Sequence, residues 1–202
     1  MDFIAVLDYE HLDNGMFLTA FARSLARKKS RGIILHGDSE YTERLIQTGM
    51  MREDATLRSI KDLNHRLIAL FADQGVSTIG VNGYQKSLIT ADEDKITVDE
   101  IQLNKFPEQP MLLISCLAFQ TAGSRPVPVS LPSLSLFLKK KLGLAKVTIF
   151  STNQSSGVIK DDLPKKITPS DTDQEFKNQF IPKSFHHVKE DVWLTTADEF
   201  GN

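Results

Sequence analysis

Short apolar runs alternate along the chain with longer stretches whose apolar residues recur every three or four positions, the pattern of an α/β domain. Phe3-Ile-Ala-Val-Leu7 predicts a first strand. Asp13-Asn-Gly15 breaks it, and Phe17, Leu18, Phe21, Ala22 and Leu25 then share one helical stripe that ends in Arg27-Lys28-Lys29, where cations suit the negative end of the helix dipole. Gly32-Ile-Ile-Leu-His36 is apolar throughout, as expected of a central strand buried on both faces. A short helix is expected over 39–47, with Gly49 as its C-terminal cap.

The longest helical signal spans 55–73, where Leu57, Ile60, Leu63, Leu67, Leu70 and Phe71 form a stripe that Gly75 terminates. Val76–Val81 predicts a third strand. Weak alternation from Tyr84 to Leu103 suggests a hairpin turning near Glu93-Asp94. Met111–Leu117 predicts another buried strand, Gln120–Pro128 a loop, Pro132–Leu142 a helix closed by Gly143, and Lys146–Phe150 a further strand. Beyond Ser151 the chain turns polar and irregular, with a last strand expected at Val192–Thr195. These elements predict a single domain over 1–202: a three-layer α/β/α sandwich with an open, mostly parallel central sheet.

Composition narrows the function classes. The chain has 202 residues, 41% hydrophobic and 25% charged, enough for an unstapled core. A formal charge of −2 argues against a dedicated nucleic-acid or anionic-membrane binder, and the clusters Arg27–Lys29 and Lys139–Lys141 read as solvated helix surface. No window offers the roughly 20 apolar residues of a membrane span. The single Cys116 lies within an apolar run and reads as a buried structural thiol, which suits a reducing cytoplasm.

From His36 to Gly83 the chain resembles the N-acetylglutamate kinases of the amino acid kinase family. His36-Gly37-Asp38-Ser39 stands where that family has His-Gly-Gly-Gly. Leu45–Met50, Glu53-Asp54-Ala55, Leu63–Ile68, Gly75-Val76 and Gly80–Gly83 follow in the family's order. Later, Leu142-Gly143, the strand 146–150, Gly157-Val158 and Phe180-Ile-Pro-Lys183 resemble its Leu-Gly strand, nucleotide loop and Met-Ile-Pro-Lys segment. The resemblance implies an amino acid kinase-like fold with a shortened C-terminal, nucleotide-side lobe. It also implies a homodimer through the helix 55–73.

The chemistry of these kinases moves the γ-phosphoryl group of MgATP to a carboxylate, chiefly by positioning and charge neutralisation. The resemblance assigns that work to parts that this chain largely lacks. The family's Lys-x-Gly-Gly at the end of strand one is replaced by Asp8-Tyr9-Glu10, whose carboxylates repel phosphate. In the phosphate-loop remnant His36, Gly37, Asp38 and Ser39, side chains replace two glycines, and Ser39 is a candidate cap for the next helix. Val129-Ser-Leu-Pro132 stands at the family's Asn-x-Asp position. Lys183 matches the late catalytic lysine. Arg52, beside the aligned Met51, and Asn82-Gly83 are the candidate substrate-binding residues, and Ser151, Thr152 and Gly157 the nucleotide-loop remnant.

The expectation is therefore a degenerate, non-catalytic homologue that binds a partner protein or a small acidic metabolite. The alternative is an active, MgATP-dependent kinase of an N-acylated glutamate, a step of arginine biosynthesis. A third reading, an esterase, rests on Gly37-Asp38-Ser39 as a nucleophile turn with His186-His187 as base. Adjacent histidines point different ways and have no suitably spaced third ligand, so no metal site is expected.

Overall fold

The computed structural model describes residues 1–28, 30–92, 95–107, 110–153 and 165–201. The chain runs through β1 (Phe3–Leu7), α1 (Tyr9–Leu12), α2 (Gly15–Arg27), β2 (Gly32–His36), α3 (Tyr41–Gln47), α4 (Arg52–Asp73) and β3 (Thr78–Asn82). It continues through β4 (Ile89–Asp92), β5 (Lys95–Val98), α5 (Glu100–Asn104), β6 (Met111–Ser115), β7 (Leu117–Gln120) and β8 (Arg125–Pro128). Then come α6 (Leu131–Lys141), β9 (Val147–Phe150), β10 (Lys165–Ile167), α7 (Gln174–Phe180) and β11 (Val192–Thr195).

Seven strands form the main sheet in the order β10-β11-β9-β1-β2-β6-β3, parallel except for β10. A smaller sheet, ordered β5-β4-β7-β8, lies beside it. Alternate residues of the central strands face two separate apolar cores. Ile4, Val6, Ile33 and Leu35 join Leu134 and Leu138 of α6, Leu88, and Ile89 and Leu117 of the small sheet. Phe3, Ala5, Leu7 and Ile34 join Phe17 and Phe21 of α2 and Leu63, Leu67 and Phe71 of α4. The expected α/β sandwich is thus observed. In the second core Phe21 meets the edge of Phe150 at a centroid distance of 5.1 Å and Phe71 at 5.8 Å. Burying such a ring contributes about 3 kcal/mol.

Helix ends follow local chemistry. Asn14 caps α2 by accepting from Phe17 N–H at 3.0 Å, Asp99 caps α5 through Gln102 N–H at 3.0 Å, and Asp173 caps α7 through Phe176 N–H at 2.8 Å. Gly49, Gly75 and Gly143 take positive φ just beyond their helices. Three segments depart from expectation. The 99–104 stretch closes into α5 once Asp99 caps it, although Ile101 and Leu103 alternate like strand residues. The expected loop at 120–128 is instead the turn and second strand of a β7–β8 hairpin, and Pro126 and Pro128 are tolerated because β8 is an edge strand. The polar tail contributes β10 and α7. The expected turn at Glu93-Asp94, together with Lys29, Gly157, Val158 and the 161–164 segment, lies outside the described residues; β4 and β5 do pair antiparallel, with Asp92 opposite Lys95. None of the described helices is long and apolar enough to cross a membrane.

Candidate functional site

Parallel strands in register deliver their next residues side by side. Leu7 is opposite His36, His36 opposite Ser115, and Ser115 opposite Asn82, so Asp8, Gly37, Cys116 and Gly83 emerge along one edge of the sheet. On the other side Thr195 is opposite Phe150, which brings out Ser151 and Thr196. The chain order reverses between β1 and β9, and ligands of open α/β sheets bind at the carboxyl ends of the strands beside such a reversal.

Here that edge is occupied by the protein's own groups. Asp8 is buried, with one carboxylate oxygen accepting from Tyr9 N–H at 2.8 Å to start α1 and the other accepting the Ser184 hydroxyl. Burial raises its pKa, against the lowering effect of the two hydrogen bonds. Glu10 accepts Lys183 N–H at 3.3 Å. These two carboxylates tie the C-terminal segment down over the end of β1. His11 is buried too, donating from Nε2 to Ser151 O at 3.2 Å, and desolvation lowers its pKa.

The turn after β2 is equally closed. His36 is fully buried and donates from Nδ1 to Gly37 O at 3.2 Å, while Asn64 of α4 donates to its Nε2 at 3.0 Å. Burial pushes its pKa down to about 4, so the ring is neutral at physiological pH. A Cβ on Gly37 would lie 2.9 Å from Leu131 Cδ1, because the first residue of α6 packs onto this turn. Asp38 Oδ1 accepts Ser39 N–H at 2.8 Å and the Thr42 hydroxyl. Ser39 is fully buried, and its Oγ accepts Tyr41 N–H at 3.2 Å, so it helps to start α3. Buried in that role, Ser39 does not serve as an esterase nucleophile, and His186 Nε2 is engaged with Ile181 O at 2.9 Å.

Of the other predicted residues, Gly83, Ser151 and Lys183 reach this edge through the backbone, and each of the rest has its own structural partners. Arg52 opens α4 on the surface and forks onto Glu43 at 2.8 and 3.4 Å, which raises its pKa. Asn82 ends β3, with its N–H held by Gln85 Oε1 at 3.0 Å and its Oδ1 buried without a partner. Gly83 is a packing glycine: a Cβ there would come within 2.4 Å of Leu117 O. Ser151 N–H bonds Thr195 O at 2.8 Å, and the Thr152 hydroxyl donates to Gln179 O at 3.0 Å, so both are tied into the fold. Lys183 sits in a short helical turn with an exposed side chain.

Sequence reasoning missed α1, Ser184 and Asn64. The first is a single turn too short for periodicity, and the other two act only through partners distant along the chain.

No protein-family model matches this sequence, and no curated protein matches it. Solved structures do. Isopentenyl phosphate kinase from T. acidophilum superposes over 99% of this chain and 93% of its own, with a TM-score of 0.61 and 11% identity. The fold is that of the amino acid kinases. Aspartate kinase from Synechocystis matches 75% of this chain with a TM-score of 0.60 and 12% identity. N-acetylglutamate synthase from Neisseria gonorrhoeae, solved with coenzyme A and N-acetyl-glutamate, matches 74% with a TM-score of 0.54 and 14% identity. This chain spans only 28% and 41% of those two proteins. At such identities the amino acid kinase fold is what is shared.

Proposed function

We propose that this protein is a degenerate member of the amino acid kinase family, similar to the N-acetylglutamate kinases, that binds or regulates and does not transfer phosphate. The observation that carries this reading is the end of β1, where Asp8 and Glu10 hold Ser184 and Lys183 N–H in the place the resemblance gives to a lysine and two glycines. A phosphate oxygen about 4 Å from such a carboxylate meets a repulsion of about 4 kcal/mol at an effective dielectric of about 20, near a thousandfold in affinity. Leu131 packed on Gly37 and the Asp38–Ser39 turn, closed by its own hydrogen bonds, support it further, since backbone amides there have little room to meet a ligand.

The proposed partner is a protein or a small acidic metabolite, and the proposed compartment is the cytoplasm. A homodimer through the helix 55–73 is part of the proposal. Leu57, Ile68 and Leu70 of α4 remain only half-buried, and the neighbouring edge strand β3 carries neither charge nor proline, which leaves it in need of cover.

The test is calorimetric titration of the full chain with MgATP, alone and with N-acetylglutamate, followed by an assay for ADP release. The expected result is no binding heat at millimolar nucleotide and no ADP. Magnesium-dependent binding with turnover overturns the proposal in favour of an active kinase of acylated glutamate resting on Lys183 and Arg52.

A further inference from the structure

On the α2 side of the sheet, a notch of about 80 Å³ opens beside β9 and β11, under the C-terminal turn Glu199–Gly201. It lies away from the strand ends described above: Lys146 precedes β9, and Thr148 sits within it. Two lysines line the notch. Lys28 Nζ stands 4.5 Å from the Phe200 ring centroid and 5.3 Å from that of Phe3, and Lys146 Nζ stands 4.4 Å from that of Trp193. The aromatic faces orient both cations and attract them weakly, but bring no counter-charge. Burial, and then the repulsion of Lys146, lower the pKa of Lys28.

The floor is polar where an apolar residue would pack more simply. Thr148 is opposite Trp193 across the β9–β11 pair, and Thr195, two residues further along β11, faces the same side. Thr195 is 1% exposed and lines the notch, yet its Oγ1 has no hydrogen-bond partner. A buried hydroxyl left so is destabilising and calls for an explanation, such as an ion. Among the described residues that line the notch, Glu199 is the acid and Lys28 and Lys146 are the bases.

We propose that this notch binds one small oxyanion, a phosphate or a carboxylate, seated between the Lys28 and Lys146 ammonium groups with the Thr195 hydroxyl donating to it. Such an ion answers both features at once: it relieves the repulsion between the lysines and supplies an acceptor to the orphaned hydroxyl. The notch has room for a small ion of this kind. Lys28 and Lys146 lie outside the strand-end site, and Thr195 touches it only through its carbonyl, so the outcome of the MgATP titration does not bear on this inference.

The test is calorimetry and thermal unfolding of the full chain with inorganic phosphate, sulfate and acetate, each against sodium chloride at matched ionic strength. The expected result is a saturable heat and a rise in Tm beyond chloride, the responding anion telling a tetrahedral oxyanion from a carboxylate. Lys146→Met weakens that binding at least tenfold, Lys146→Arg keeps it within a few-fold, and Thr195→Val weakens it while circular dichroism stays native. Equal responses of the wild-type chain to all four salts overturn the proposal without recourse to any variant. Unchanged affinity in a folded Lys146→Met does the same.

Discussion

Acid should weaken this protein through one buried ring. His36 is fully buried, with Nδ1–H donated to Gly37 O and Nε2 accepting from Asn64, so a proton on Nε2 would face a donor in a dry site. Its pKa falls from 6.5 to about 4. In the unfolded chain the ring takes a proton below about pH 6.5, while the folded chain refuses it until near pH 4. The unfolded state therefore binds more protons in that window, and stability is lost as pH falls. The shift corresponds to about 3 kcal/mol between pH 7 and pH 4, with about 2 kcal/mol already gone at pH 5. His11, also depressed by burial, acts in the same direction. Asp8, whose pKa is raised, acts oppositely: the unfolded carboxyl releases its proton first, so this group costs stability as pH rises above about 3.8. Because these contributions overlap, the measurement is a difference. Urea unfolding of the wild type and of His36→Gln, which keeps an acceptor for Asn64 but cannot take a proton, is followed from pH 7 to pH 4. The gap between the two stabilities should move by about 3 kcal/mol against the wild type. Parallel curves would refute the reasoning, since they would mean that His36 is protonated with equal ease in the folded chain.

Gly83→Ala should destabilise the fold by about 3 kcal/mol, because the added Cβ meets the Leu117 carbonyl at 2.4 Å and Ile89 Cδ1 at 2.7 Å, and backbone cannot yield cheaply. Urea denaturation reads this directly, and a loss under about 0.5 kcal/mol would show that the turn is loose. Cys116, whose thiol burial pushes up to about 12, should resist a thiol-reactive dye at pH 8 in the native chain. It should react at once in urea with one thiol per chain, and fast native labelling would contradict its burial.

How much of this was legible in the sequence varied with the range of the interaction that decides each element. β2 and β11 were readable to the residue, and α2 and α4 nearly so, because local periodicity and capping residues carry them. The amino acid kinase fold was readable from glycines and apolar runs in order, and so were the two carboxylates, Asp8 and Glu10, just after the first strand. Where residues of weak local preference wait for distant partners, sequence was silent. The 117–128 segment becomes a hairpin only because β7 finds β4. The single turn α1 has too few residues for a period, and its cap Asp8 is held from the far end of the chain by Ser184. Sequence alone could say that Asp8 and Glu10 would repel a phosphate. Only the tertiary structure could show them gripping the C-terminal segment instead, and only packing of the β9–β11 face could bring Lys28 beside Lys146 over an unpartnered Thr195. Charge and periodicity are written locally. Which charges meet, and which hydroxyls are left without a partner, is set by contacts between residues far apart in the chain.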